Sequence, residues 1–198
     1  MDNIGAIVLA AGASTRMKRQ KMLLPYYGKT VIETVIDNVL NSVKNVVVIL
    51  GSHKNEIYRQ IRKLPVKISV NKNYLGGMLS SAICGFKSLP DKTEAALIVL
   101  GDQPQISGNV INTVIEAWKS SGKGIIIPTY NGRRGHPSLI ETKYRNEIEA
   151  LDPEKGLRSL FQKFENDIFE IECNFPEILR DIDTPEDYTY ETNIKQRI

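Results

Sequence analysis

Arg16, Lys18, Arg19 and Lys21 crowd into residues 16–21, directly behind a run of small side chains, Ala10, Ala11, Gly12, Ala13 and Ser14. Side chains that short let an anionic ligand reach backbone N–H donors, and the cations behind them would neutralise its charge. No acidic residue interrupts the stretch between Asp2 and Glu33, whereas an ordinary solvated surface intersperses both signs. The chemistry this pattern predicts is capture of a polyphosphate. The loop is not a Walker A motif, because no G-K-[ST] closes it.

Other segments carry groups that could act on such a ligand. G-D-Q-P at 101–104 puts Asp102 just past the apolar run 95–100. Alone, Asp102 is a helix cap or a turn residue; beside a phosphate loop it is a hard ligand for Mg²⁺, which binds through one or two carboxylates and substrate phosphates. D-I-D-T-P-E-D-Y at 181–188 offers a second carboxylate. There, Asp183 or Thr184 ahead of Pro185 equally suits a helix start. In residues 71–81 glycines let backbone approach a base or ribose, with Asn71 and Ser81 as candidate contacts and Ser80 as a contact or helix cap. His136 follows Arg133 and Arg134, whose charge would repel a metal cation, and no second histidine stands at ligand spacing. It suits an anionic or polar substrate, while His53 is expected to cap or line a loop.

These segments together resemble the molybdenum cofactor cytidylyltransferases, a branch of the nucleotidyltransferases that activate molybdopterin. The resemblance rests on L-A-A-G-x-S-x-R-M with a lysine shortly after it, L-L-P-Y-x-G-K, the Asn71 to Ser81 segment, G-D-Q-P, R-G-H-P, D-P-E-K-G-L followed by Arg158, and D-I-D-T-P-E-D. It spans Leu9 to Asp187. What it implies is a Rossmann-like α/β domain of the nucleotidyltransferase (GT-A-like) type, a three-layer sandwich with a mainly parallel central sheet. The implied reaction moves CMP from CTP to the phosphate of molybdopterin and releases pyrophosphate, with Mg²⁺ held by Asp102 and Asp183. Arg16, Lys21 and Asp102 become catalytic residues. Leu9, Ala10, Ala11, Gly12, Ala13, Ser14, Asn71 and Ser81 become nucleotide contacts, and Arg134 and His136 fall near the pterin. Ala11, where guanylyl-transferring relatives commonly have a second glycine, favours cytidine. Lys18 departs from the family, which usually has glycine after R-M. A xanthine dehydrogenase-like apoenzyme would be a transient recipient. Two alternatives are a transferase of the same fold acting on a sugar or polyol phosphate, and a non-catalytic cofactor carrier or insertion protein.

The elements that must position these groups follow from periodicity. Short apolar runs at 4–9, 45–51, 66–70, 95–100 and 124–128 suit strands buried on both faces, and i, i+3, i+4 spacing marks helices at 30–43 and 110–118, with a shorter one from about 55. Thr30 with Glu33 forms a capping box. Strands alternating with helices predict βαβ units, a mainly parallel sheet, and ligands beyond the carboxyl ends of its strands. A chain of 198 residues is expected to form one domain over 1–198. A net charge of +3, from 26 basic and 23 acidic residues, gives no general attraction to nucleic acid. Cys84 and Cys173 have no C-x-x-C partner and are expected to stay reduced. With no signal-peptide layout and no apolar run near the ~20 residues of a membrane helix, a cytoplasmic location is expected.

Overall fold

The apolar run behind the phosphate loop is a strand, β1 (Ile4–Ala10), buried along its whole length. The computed structural model describes residues 3–17 and 19–194, so Lys18 lies outside the described residues. A tight hairpin, β2 (Pro25–Tyr26) and β3 (Lys29–Thr30), leads into α1 (Val31–Leu40). Thr30 caps this helix through the expected box: its hydroxyl accepts from the Glu33 N–H, and the Glu33 carboxylate accepts from the Thr30 N–H. The alternation continues through β4 (Asn45–Leu50), α2 (Lys54–Ile61), β5 (Lys67–Val70), α3 (Gly77–Ser88), β6 (Ala95–Leu100), α4 (Gly108–Ser121) and β7 (Ile125–Tyr130). The last third adds β8 (Arg133–Arg134), β9 (Ser138–Glu141), α5 (Arg145–Glu149), α6 (Leu157–Lys163), β10 (Ile168–Glu172) and α7 (Pro185–Ile194).

The main sheet runs β10-β7-β9-β6-β1-β4-β5, with β8 paired to β7 off that path. Pairing is parallel along the path except where β9 inserts, antiparallel to both β6 and β7. The sheet is therefore mainly parallel as expected, while β8, β9 and β10 go beyond the strands the periodicity marked. In β9 only Leu139 and Ile140 are apolar, too short a run to read as a strand. Hydrogen bonding on both flanks makes it one. β10 mixes glutamates with apolar residues because it is an edge strand.

Successive side chains of each central strand leave for opposite faces. Ala6, Val8, Val46, Val48, Leu97 and Val99 point to the face covered by α1, α2 and α4; Ile7, Leu9, Val47, Ile49 and Ile98 point to the face covered by α3, α5 and α6. These are the three layers. A separate small cluster of Met17, Leu24, Tyr26, Val31 and Ile182 joins the segment behind the phosphate loop to the chain entering α7. It brings residues far apart in sequence to one edge. Among the described residues no helix is long and apolar enough to cross a membrane.

Candidate active site

The carboxyl ends of β1, β4, β5 and β6 open onto one edge, where ligands of such sheets bind. Parallel register sets this up: Leu9 lies beside Leu100 on one side and Ile49 on the other, so the chain segments leaving all three strands emerge together. They enclose a cavity of about 320 Å³. Leu9, Ala11 and Gly12 form its floor beside β1, and Tyr74, Gly77, Met78 and Ser81 line it from the chain after β5. Asp102 enters from the end of β6, and Arg16, Lys21, Asp181 and Asp183 complete its charged end.

That charged end is a linked set of ion pairs. The Lys21 ammonium donates to an Asp102 oxygen at 2.5 Å and to an Asp183 oxygen at 2.7 Å. The second Asp183 oxygen takes the Arg16 guanidinium at 2.7 Å. Lys21 is only 8% exposed. Burial alone would lower its pKa, but the charges and hydrogen bonds of Asp102 and Asp183 outweigh that and hold it above the ordinary lysine value. Asp181 lines the same cavity and accepts from Gln103 Nε2 at 2.7 Å. Burial, then the neighbouring Asp102 and Asp183 charges, push its pKa up.

Local sequence explains why these groups are held so well. Ser14 takes a left-handed backbone, φ 54°, and its hydroxyl donates to Gln20 Oε1 while accepting from the Lys21 N–H. Gln20 Oε1 also accepts from the Met22 N–H, so the turn that carries Lys21 is stapled to the end of the phosphate loop. At the other chain end, the two readings of D-I-D-T-P-E-D separate cleanly. Thr184 is the helix cap, accepting from the Asp187 N–H, and the Asp187 carboxylate accepts from the N–H groups of Asp183 and Thr184. The Asp183 side chain is left for Lys21 and Arg16.

Of the residues singled out from sequence, Leu9, Ala11, Gly12, Arg16, Lys21, Ser81, Asp102 and Asp183 meet at this cavity. Ala10 is buried within β1, and Ala13 and Ser14 sit in the loop without lining the cavity. Asn71 is buried behind it, donating to both Ser80 and Ser81 hydroxyls and accepting from the Asn73 N–H. Asn71 thus shapes the segment that carries Ser81. Ser80 turns back onto the Asn73 and Gly77 carbonyls. His53 precedes α2 without a side-chain capping bond, and its ring pairs with Glu56.

The R-G-H-P segment divides. Arg134 is exposed and pairs with Glu170 on β10, outside the lining of either cavity described here. His136 instead lines a second cavity of about 340 Å³, with Ser138, Gly156 and Arg158, which shares Met78 with the first. His136 Nδ1 and Ser138 Oγ are buried there without hydrogen-bond partners. Burial depresses the His136 pKa, opposed by a hydrogen bond to the Ile98 backbone and by the charge of Asp102. Sequence reasoning missed Tyr74, Met78 and Asp181. Asp181 had one signal: spaced two from Asp183 on extended chain, it faces the same side.

A three-layer sheet with a small-residue loop, two basic groups and paired carboxylates at its carboxyl edge has the build of a nucleotidyltransferase. Comparison with known proteins makes this specific. The chain belongs to the family described as the MobA-like NTP transferase domain, whose sequence model matches residues 6–168. It is 29% identical to the molybdenum cofactor cytidylyltransferase of Escherichia coli (strain K12), over 95% of each chain. It is 28% identical to a nicotine blue oxidoreductase of Paenarthrobacter nicotinovorans, over 92% of this chain and 93% of the relative. The crystal structure of Rv0371c from Mycobacterium tuberculosis H37Rv in complex with manganese has the same fold, with a TM-score of 0.82 at 22% identity, covering 96% of this chain and 98% of that one.

Proposed function

We propose that this protein transfers CMP from CTP to the phosphate of molybdopterin and releases pyrophosphate. The observation that carries this is the shared cation: Lys21 bridges Asp102 and Asp183 beside Gly12, with Arg16 on the same carboxylate. Two cations and two carboxylates around a backbone loop suit a triphosphate with its divalent cation.

No protein nucleophile is needed, because an ionised acceptor phosphate already is one. Its oxygen forms a bond to the α-phosphorus of CTP as the bond from that phosphorus to the β-bridging oxygen breaks, and the electron pair leaves with pyrophosphate. The protein's part is position and charge. The backbone at Ala11 and Gly12 cradles the triphosphate, and Arg16 and Lys21 neutralise the charge that grows on the leaving group. Ser81 and the Tyr74–Gly77 segment face the base and ribose.

Among the described residues, no group of three or more His, Cys, Asp or Glu side chains could hold a metal alone. Asp102 and Asp183 converge on one cation, which fits an ion whose remaining positions go to phosphate oxygens and water, as Mg²⁺ prefers. Bound there, Mg²⁺ would supply further charge neutralisation to the phosphates. The manganese complex of a structural relative supports a divalent cation on this fold.

The pterin end of the reading draws on the cytidylyltransferase relative and on the second cavity. His136, kept neutral by burial, and Ser138 offer unpaired polar atoms to an acceptor held across Met78 from the nucleotide. An oxidoreductase relative means that this scaffold is not tied to one reaction. The paired carboxylates beside the two cations favour transfer, since they suit a divalent ion held on a triphosphate. A cytoplasmic location fits a consumer of CTP. The test is pyrophosphate release with molybdopterin and Mg²⁺, comparing CTP, GTP, ATP and UTP. Turnover with CTP above the others supports the proposal; release only with a sugar or polyol phosphate as acceptor would replace it.

A further inference from the structure

The two cations of the phosphate loop are already ion-paired before any ligand arrives. Both are engaged by the carboxylates proposed to hold the metal: Lys21 by Asp102 and Asp183, Arg16 by Asp183. The Lys21 side chain is 10% exposed, against 68% for Arg16, so the ammonium is the inner plug and the guanidinium the outer. Its backbone is fixed by the Ser14 and Gln20 staple, while its four-carbon stem leaves the ammonium able to swing. We infer that Lys21 is a resident substitute for the divalent cation, so that metal and nucleotide bind by exchange and each strengthens the other.

The electrostatics give the direction. Lys21, Arg16, Asp102 and Asp183 carry two positive and two negative charges that balance one another, with the Asp181 carboxylate beside them on Gln103. A divalent ion arriving alone must displace an ammonium held by two charge-assisted hydrogen bonds, and the freed ammonium has no new partner. A triphosphate arriving alone draws Lys21 and Arg16 away and leaves two carboxylates uncompensated beside its own negative charge. Arriving together, the triphosphate takes the two basic groups and the ion takes the carboxylates. No carboxylate is then left uncompensated, and the two basic groups offset part of the triphosphate's own charge. The coupling is reciprocal by thermodynamic necessity: whatever factor nucleotide adds to metal affinity, metal adds to nucleotide affinity.

This inference rests on the proposed nucleotide site, and the test separates the two. Mn²⁺ binding is measured by the loss of the free-ion electron paramagnetic resonance signal, with and without a non-hydrolysable CTP analogue, on wild type, Lys21→Met and Asp102→Asn. In wild type the analogue is expected to tighten Mn²⁺ by tenfold or more, within the range typical of coupled sites. Lys21→Met is expected to bind Mn²⁺ several-fold more tightly than wild type when no nucleotide is present, because the substitute is gone. Equal or weaker Mn²⁺ binding by Lys21→Met would reduce Lys21 to a phosphate ligand and overturn the inference. So would a wild-type affinity that the analogue leaves unchanged, a result that needs no variant to fold. Mn²⁺ binding that survives Asp102→Asn undiminished would instead refute the metal site itself, and with it the proposed function.

Discussion

Gly51 and Gly12 allow folding and ligand binding to be pulled apart at the phosphate loop. A Cβ at Gly51 would lie 2.6 Å from Tyr74 Cβ, 2.8 Å from Ala11 Cβ and 2.8 Å from the Ala11 carbonyl oxygen. The first of these is 0.8 Å short of the 3.4 Å at which ordinary contact begins. Neither neighbour is a flexible side-chain tip, so backbone must move, and Ala11 is already tied there by the Ser52 N–H. Overpacking of this kind costs about 1–3 kcal/mol. Ala11 and Tyr74 both line the cavity, so displacing them by most of an ångström should also lower kcat/KM by about tenfold to a hundredfold. At Gly12, by contrast, a Cβ meets nothing within 4 Å and the backbone is not left-handed. Gly12→Ala should keep its stability or gain about 0.4–1 kcal/mol from a stiffer unfolded chain, yet bind nucleotide worse because it adds a methyl group to a residue that lines the cavity. Urea denaturation and calorimetric titration with CTP read the pair. A Gly51→Ala variant within about 0.5 kcal/mol of wild type, the level of an ordinary surface change, or a Gly12→Ala variant that binds CTP like wild type, would refute this packing of the loop.

Thr184→Ala should cost about 1 kcal/mol by removing the cap of α7, and should raise the Mg²⁺ concentration needed for half-maximal turnover because the Thr184 hydroxyl also donates to the Asp187 carboxylate that holds the Asp183 N–H; urea melts and Mg²⁺ titrations check both, and an unchanged Mg²⁺ requirement would contradict the positioning. His136 has a folded pKa below its ordinary 6.5. A group of that sign adds stability that is fully present above 6.5 and is lost as pH falls from there through the folded value. The slope is at most about 1.4 kcal/mol per pH unit for one proton. Urea denaturation of wild type and His136→Gln from pH 8 downward should show the wild type losing ground below about 6.5, and parallel curves would contradict a buried neutral ring. Arg134→Ala should change turnover little and stability by less than about 1 kcal/mol, since its Glu170 pair is exposed; a large rise in the acceptor KM would return Arg134 to the site.

The sequence was legible where chemistry and local structure coincide. Thr30 and Glu33 made the box their spacing predicts, and Asp102 emerged from its apolar strand at the ligand edge because a buried parallel strand has a readable pattern. Arg16, Lys21, Asp102 and Asp183 were nominated from their types, and their convergence needed tertiary structure: residues 81 and 162 positions from Lys21 meet on its ammonium. Asn71 was nominated as a ligand contact, yet its amide is consumed in orienting Ser80 and Ser81, a role that no linear pattern announces. Arg134 and His136 stand two residues apart on either side of Gly135. A short hairpin strand sends one to the sheet edge and leaves the other lining a cavity. β9 was invisible because its strand character comes from its two neighbours and not from its own residues.

The most direct measurement is mass spectrometry of molybdopterin after incubation with the protein, CTP and Mg²⁺, alongside pyrophosphate release. The expected result is an acceptor heavier by one CMP, one pyrophosphate for each acceptor consumed, and loss of both in Asp102→Asn and Asp183→Asn. Unmodified molybdopterin, or product formed equally well by the aspartate variants, would contradict nucleotidyl transfer at this site.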